Sequence, residues 1–182
     1  MKAGAGNAAR DDANRRTRKP PTPHATMTIA ARGVLNHHKR KHNPLNMKDY
    51  AYTLRMKVRD YECDMEGIVN NANYQHYMEH TRHEFLLSAD ISFAEMLEQD
   101  IVSVVARIAI DYKTPLRSRD EFLSCLNIRQ EGVRYVFHQD IYRASDMKLA
   151  ARGKVDVVCL VGGKLSRCPQ LEEKLKLYGI AL

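Results

Sequence analysis

The chain has 182 residues, enough for one ordinary domain with a segment to spare. Its formal net charge of +7 is uneven, because residues 1–46 carry ten Lys or Arg and two Asp, a net of +8, which leaves 7 − 8 = −1 for residues 47–182. The nearly neutral part gives no electrostatic reason to expect a nucleic-acid partner. No apolar run approaches the roughly 20 residues that cross a bilayer, so we expect no membrane partner.

The four cysteines are widely separated and include no Cys-x-x-Cys pair. Such spacing favours reduced thiols over a disulfide framework or a zinc ribbon. We therefore expect a cytoplasmic protein. The cysteines are Cys63, Cys125, Cys159 and Cys168.

Residues 1–46 form a basic segment without an aromatic residue. Its few large apolar side chains cannot offset the entropy cost of ordering, so we expect disorder. The basic runs 15–19 and 37–42 have the charge needed to bind nucleic acid or anionic lipid. The composition also suits an organelle transit peptide, although such peptides are rich in serine and this segment has none. We favour a dispensable extension, with Met47 as the natural start of a domain spanning 47–182.

The first predicted elements of this domain are a strand and a long helix. Apolar and polar residues alternate over 50–59, which predicts a β-strand. From Asn73 to about Ala89 the apolar residues recur at helical spacing. Asn71 or Asn73 is the predicted N-cap. The residues predicted to form the apolar face are Tyr74, Tyr77, Met78, Thr81 and Phe85.

A short helix over 92–99 is predicted next, with Ser92 as its N-cap and Glu95 placed as in a capping box. Four strand-like runs follow with tight connections, which predicts an antiparallel meander. These runs cover 101–113, 121–129, 133–143 and 149–161. One face of the first run is predicted to carry Val102, Val104, Ala106, Ile108, Ile110 and Tyr112.

The chain closes with Gly162-Gly163, which ends the last strand, and a helix predicted to start at Pro169 and stop at Gly179. The order of strand, long helix and then several strands predicts an α+β fold. We expect an antiparallel sheet of about five strands wrapped around one central helix.

The chemistry of the sequence concentrates between the first strand and the long helix. An acidic turn closed by Gly67 would place Asp64 just ahead of the helix N-terminus. The unpaired N–H groups there attract an anion or a polarised carbonyl oxygen. A carboxylate that faces such a site suits acyl transfer. The alternative is that Asp64 only bonds the backbone of its own turn.

The segment from Asp64 to Tyr74, followed by Arg-His-Glu-Phe-Leu at 82–86 and by residues 112–120, resembles a known family. It is similar to the hotdog-fold thioesterases of the 4-hydroxybenzoyl-CoA thioesterase type. The similarity is strongest to the branch of bacterial acyl-CoA thioesterases and plant acyl-ACP thioesterases related to methylketone synthase. The resemblance covers about residues 50–175.

The resemblance implies a hotdog homodimer or homotetramer with active sites at the subunit interface. It implies hydrolysis of acyl-CoA or acyl-ACP to a free acid and a thiol, as in fatty acid metabolism, with no metal or organic cofactor. Asp64 matches the catalytic carboxylate, as general base or nucleophile, and the N–H near Asn71 matches the carbonyl-polarising group. The implied catalytic residues are Asp64, Asn71 and Gly67, and the implied substrate-binding residues are Asn70, Asn73, Tyr74 and Glu84.

The chain departs from the family at two positions of this turn. Met65-Glu66 stands where many members have Pro-Ala or Gln-Phe, and Glu66 adds a negative charge beside Asp64. If the two carboxylates are close, repulsion raises one pKa. Asn71 stands where some relatives carry a histidine, which argues against a histidine-assisted mechanism.

Other residues have structural and functional interpretations. Glu84 either positions a water or, as we favour, pairs with Arg82. His76 and His80 match the His-x-x-Glu-His zinc motif, but we favour an exposed or interface histidine patch over a metal site. We expect Cys63 to be a buried thiol rather than a nucleophile. Four apolar residues are expected either to line a tunnel for the acyl chain or to pack in the ordinary core. These are Met96, Leu97, Val102 and Val104.

Two other functions remain open at this stage. A hotdog domain that binds acyl thioesters without cleaving them, as a sensor, has the same sequence features. A hotdog dehydratase or hydratase requires an acid–base histidine, and no histidine lies in the turn around Asp64. We rank the dehydratase last.

Overall fold

The computed structural model describes residues 50–180, so the predictions for residues 1–46 and for a start at Met47 lie outside the described residues. The described elements are β1 (Tyr52–Lys57), a single 3-10 turn (Asp60–Glu62), α1 (Asn71–Ser88), α2 (Phe93–Glu98), β2 (Ile101–Tyr112), β3 (Glu121–Glu131), β4 (Arg134–Arg143), β5 (Leu149–Val161), β6 (Lys164–Ser166) and α3 (Pro169–Leu177). No helix in this part is long and apolar enough to span a membrane.

The sheet has the strand order β1-β3-β4-β5-β2, with every neighbouring pair antiparallel and β6 paired with β5. The predicted meander is confirmed for β3, β4 and β5. It is wrong for β2, which pairs with β5 instead of β3. The link over 113–120 is too long for a tight hairpin, so it carries the chain across to the other side of the sheet. β6 was not predicted, and it forms because Gly162 and Gly163 both adopt positive φ in a two-residue turn.

The long helix α1 packs against one face of this sheet. All five residues predicted for its apolar face are buried. At Gly153 on β5 the helix comes so close that an added Cβ would lie 2.5 Å from Sδ of Met78. The predicted α+β architecture, an antiparallel sheet around one central helix, is therefore confirmed.

A β-bulge divides β2 into two halves. Val105 pairs with Val157 and Arg107 pairs with Asp156, so Ala106 is an extra residue in the ladder. Because side chains alternate, one extra residue reverses which positions face α1. The prediction that Val102 and Val104 share a face with the later positions is therefore wrong. Six residues of β2 pair with residues of β5 that face α1, so these six share that inner face. They are Ile101, Ser103, Val105, Ile108, Ile110 and Tyr112.

The terminal helix α3 is fixed to the sheet by Glu172, which is 7% exposed. The Glu172 carboxylate accepts hydrogen bonds from Tyr135 Oη at 2.9 Å, Gln130 Nε2 at 2.8 Å and Arg167 Nη2 at 2.7 Å. The bond from Arg167 is the largest of the effects that lower the pKa of Glu172. This network holds the last helix against β3 and β4.

Candidate active site

The acidic turn places Asp64 in a loop closed by its own hydrogen bonds. The Asp64 amide donates to the Ile68 carbonyl at 2.9 Å, and the Gly67 amide donates to the Asp64 carbonyl at 3.0 Å. Gly67 has φ of +70°, a conformation that favours glycine. Oδ1 of Asp64 accepts from the amides of Glu66 at 3.1 Å and Ile68 at 3.5 Å. Oδ2 forms no hydrogen bond within residues 50–180, so half of the carboxylate is available to a ligand.

Helix α1 begins just after this turn. Its N-cap is Asn70, whose Oδ1 accepts from the Ala72 amide at 3.0 Å, so the prediction of Asn71 or Asn73 as N-cap is wrong. Asn73 instead donates from Nδ2 to the Glu62 carbonyl at 2.7 Å, which ties the helix to the preceding 3-10 turn. Asn71 is the first helical residue, and its amide donates no hydrogen bond within residues 50–180. Such an amide is one of the orphan donors of a helix start.

A surface cavity of about 300 Å³ brings Asp64, Asn71 and Tyr74 together. Tyr112 on β2 also lines it and donates from Oη to the Asn71 carbonyl at 3.1 Å. The remaining lining residues are Ile68, Val69, Lys113, Thr114, Pro115 and Ala150. A carboxylate with a free oxygen and the open end of a helix therefore border one space.

The other residues implied by the resemblance lie outside the cavity lining. Asn70 and Asn73 are engaged in the helix start, and Gly67 shapes the turn while its carbonyl accepts from Arg117 Nη1 at 3.4 Å. Glu84 lies further along α1 and forms no ion pair with Arg82 in the described part of the chain, so that predicted pair is wrong. Residues two apart point in different directions on a helix, and Arg82 instead donates to Gln139 Oε1 at 2.9 Å.

Glu62 is a residue of this region that the sequence analysis missed. It is 6% exposed, and its Oε2 accepts from Tyr77 Oη at 2.6 Å and from the Arg59 amide at 2.7 Å. Burial first, and then the bond to Glu62, raises the pKa of Tyr77. A signal was present, because Tyr77 lies on the predicted apolar face and a buried tyrosine hydroxyl needs a partner.

A larger groove of about 860 Å³ lies between β1 and the first half of α1. It does not include Asp64, but the 3-10 turn along its wall leads directly into the acidic turn. Four basic side chains and two acidic ones line it, a net of 4 − 2 = +2. These are Arg55, Lys57, Arg59, Arg119, Asp60 and Glu62.

His76 and His80 are exposed along this groove, and within residues 50–180 no group of three His, Cys, Asp or Glu side chains is placed to hold a metal.

Cys63 is half-buried rather than buried, and it forms a β-bridge with Val69. Of the four residues proposed for an acyl tunnel, only Met96 lines an inner cavity. Leu97, Val102 and Val104 are exposed.

This architecture, an antiparallel sheet around one helix, is that of the hotdog proteins. The fold is shared with a 1,4-dihydroxy-2-naphthoyl-CoA thioesterase from Synechocystis, at a TM-score of 0.63 and 22% identity over 67% of this chain and 92% of that one. The model of the Thioesterase-like superfamily matches residues 58–176. The chain belongs to this family.

Two curated relatives illustrate the range of the family. The acyl-acyl carrier protein thioesterase ATL2 of Arabidopsis thaliana, described as chloroplastic, is 36% identical over 56% of this chain and 56% of its own length. The long-chain acyl-CoA thioesterase FadM of Escherichia coli is 30% identical over 58% of this chain and 80% of its own length. The chain spans only part of the length of the plant relatives it matches, 38% of one and 56% of the other.

Proposed function

We propose that this protein is a thioesterase that hydrolyses acyl-CoA or acyl-ACP to a free carboxylic acid and a thiol. The observation that carries the proposal is that Asp64 and the N-terminus of α1 border one cavity. Membership of the family and the activities in its relatives' names support the same reaction class.

In the proposed reaction the thioester carbonyl oxygen accepts a hydrogen bond from the Asn71 amide, and the positive end of the helix dipole favours the negative charge that develops there. Asp64 lies on the other side of the carbonyl carbon. It acts either as a general base on a water molecule or as a nucleophile that forms a mixed anhydride. In both routes the C–S bond breaks, the thiol leaves, and water supplies the second oxygen of the acid.

The basic groove is evidence that the acyl group is carried by a negatively charged molecule. Coenzyme A and acyl carrier protein share a phosphopantetheine arm, so their thioesters carry a phosphate at the end of the arm remote from the reacting group. The groove has a net charge of +2 along its lining and adjoins the segment that leads into Asp64. A positive groove raises the local concentration of an anionic substrate, more so at low salt.

A substrate panel tests the proposed activity. We expect the full chain to release free thiol from several acyl-CoA or acyl-ACP thioesters, measured with a thiol-reactive chromogen, and a chain that begins at Met47 to do the same. Binding of thioesters without thiol release would instead favour the non-catalytic sensor. Absence of both would contradict either function.

We also propose that the protein forms a homodimer through the free edge of β2, with a homotetramer as the further state. The outward face of this edge strand presents two large apolar side chains to solvent, with exposures of 38% for Val102 and 38% for Val104. A long, exposed apolar edge favours pairing with a second copy.

Replacing Val104 with lysine is expected to convert the dimer to a monomer, because a charge at the edge opposes strand pairing. The mass in solution, from light scattering after size exclusion, measures this. Val133→Lys is the matched control, because Val133 is 39% exposed but lies at the turn between β3 and β4. A wild-type monomer, or an unchanged dimer in Val104→Lys, would contradict this interface.

For the cell compartment we propose the cytoplasm, with organelle targeting through residues 1–46 as the alternative. The separated cysteines support the first. The basic, acid-poor composition of the segment, and the word chloroplastic in the name of a plant relative, support the second.

A further inference from the structure

A second, smaller cavity lies between α1, α2 and the sheet, and it contains a buried arginine. Its volume is about 120 Å³, and it shares no lining residue with the cavity of Asp64. Arg82 is eleven residues beyond Asn71 on α1, which is about 16 Å along the helix axis. The two cavities are therefore separate sites within one chain.

The Arg82 guanidinium is buried but poorly neutralised. The residue is 6% exposed and lines the cavity. In the described part of the chain it donates one hydrogen bond, from Nη1 to the neutral amide oxygen of Gln139, and its Cζ lies 6.0 Å from the centroid of the Phe137 ring. None of the ion pairs among residues 50–180 includes Arg82. A guanidinium has five N–H donors, so most of them remain available to a ligand. A buried charge without a counter-ion is costly, and an anion in the cavity would offset that cost.

The rest of the cavity is mostly apolar. Its walls include Leu86, Phe93, Met96, Val105, Phe137 and Val157. A cavity of roughly 150 Å³ in a protein interior holds one benzene molecule, so about 120 Å³ suits a tail of about four carbons. Glu79 and His83 are exposed and stand at the rim. The Glu79 charge acts on Arg82 from beyond ion-pair distance and opposes the entry of an anion.

We propose that this cavity binds a small carboxylate, with the carboxylate on Arg82 and a short apolar tail among the side chains around Val105 and Phe137. A carboxylate matches the planar fork of arginine through two parallel hydrogen bonds. Such a ligand belongs to the product class of the proposed thioesterase. That link rests on the proposed function, whereas the binding itself does not.

The test is a titration of the full chain with pentanoate, followed by ¹H–¹⁵N NMR. Two comparison ligands measure the contributions of the carboxylate and of the alkyl chain separately. Pentan-1-ol keeps the alkyl chain without the charge, and acetate keeps the charge without the chain. We expect pentanoate to bind at least tenfold more tightly than either, with shifts centred on residues around Arg82. Equal affinity for pentan-1-ol, or no binding of pentanoate, would overturn the proposal.

Variants locate the site. Arg82→Met is expected to weaken pentanoate binding at least tenfold, and Glu79→Gln to strengthen it. Val105→Phe fills the mouth of the cavity from an edge strand that tolerates aromatic residues, so it should block binding even if Arg82→Met does not fold. Asp64→Asn should leave the affinity unchanged. Loss of binding in Asp64→Asn alone would place pentanoate in the other cavity and overturn the assignment, whatever the outcome for the thioesterase activity.

Discussion

Replacing Asp64 with asparagine is expected to lower kcat for thioester hydrolysis by about 1,000-fold or more, because a general base or nucleophile contributes on this scale. The substitution should not disturb the turn. The asparagine side-chain oxygen can still accept from the amides of Glu66 and Ile68, as Oδ1 of Asp64 does. Steady-state kinetics on the best substrate of the panel, with circular dichroism and the mass in solution, measures both points.

Glu66→Gln is the matched control for this prediction. Glu66 is an exposed carboxylate two residues away, and its backbone, not its side chain, bonds to Asp64. If Asp64 is the catalytic carboxylate, Glu66→Gln should keep nearly the wild-type kcat. Activity that survives in Asp64→Asn but is lost in Glu66→Gln would transfer the role to Glu66.

The largest effect on stability is expected at Glu62. Glu62→Ala should lower the free energy of unfolding by about 2–4 kcal/mol, because it removes charge-assisted hydrogen bonds and leaves the Tyr77 hydroxyl buried without its acceptor. Urea denaturation at neutral pH measures the change. Glu62→Gln keeps one acceptor oxygen and should cost less than Glu62→Ala.

Glu66→Ala serves as the control here, since a substitution at this exposed position is expected to stay within about 0.5 kcal/mol of wild type. Tyr77→Phe removes the donor instead of the acceptor and leaves the bond from the Arg59 amide in place. It should therefore cost less than Glu62→Ala. Equal stability of Glu62→Ala and wild type would show that Glu62 does not hold the 3-10 turn to α1.

Local patterns were sufficient for most elements of this fold. The apolar period of α1 depends only on residues within the helix, and the five residues predicted for its apolar face are buried as that period predicts. Ser92 caps α2 by accepting from the Glu95 amide, also as predicted. Pro169 and Gly179 bracket α3, and Gly179 has φ of +92°. Each of these signals lies within a few residues of the feature it predicts.

Features that depend on distant partners were not predictable in the same way. The bulge at Ala106 is defined by pairing with Val157 and Asp156, about fifty residues later, and no glycine or proline marks it. The position of β2 at the sheet edge is likewise set by its pairing with β5, which lies about fifty residues later in the chain.

The candidate site shows a similar division. The motif around Asp64 and Asn71 indicated a carboxylate beside a helix start, and the structure brings these two residues to one cavity. The buried role of Glu62 was not visible, because an acidic residue in an acidic turn has the local pattern of an exposed one. Its burial depends on Tyr77, on the helix that follows.

The bulge in β2 has a consequence for how relatives of this protein can diverge. Ordinary alternation already places Val104 and Val105 on opposite surfaces, and the bulge keeps Val105 on the same face as Ile108, three residues later. Val105 borders the inner cavity, and Val104 points outward along the free edge. Selection on ligand size would therefore act on the positions of β2 that share the face of Val105. Selection on subunit pairing would act on the positions that share the face of Val104. Substitutions in this one strand can change either property without the other, and the alternation of tolerated substitutions should reverse phase at Ala106.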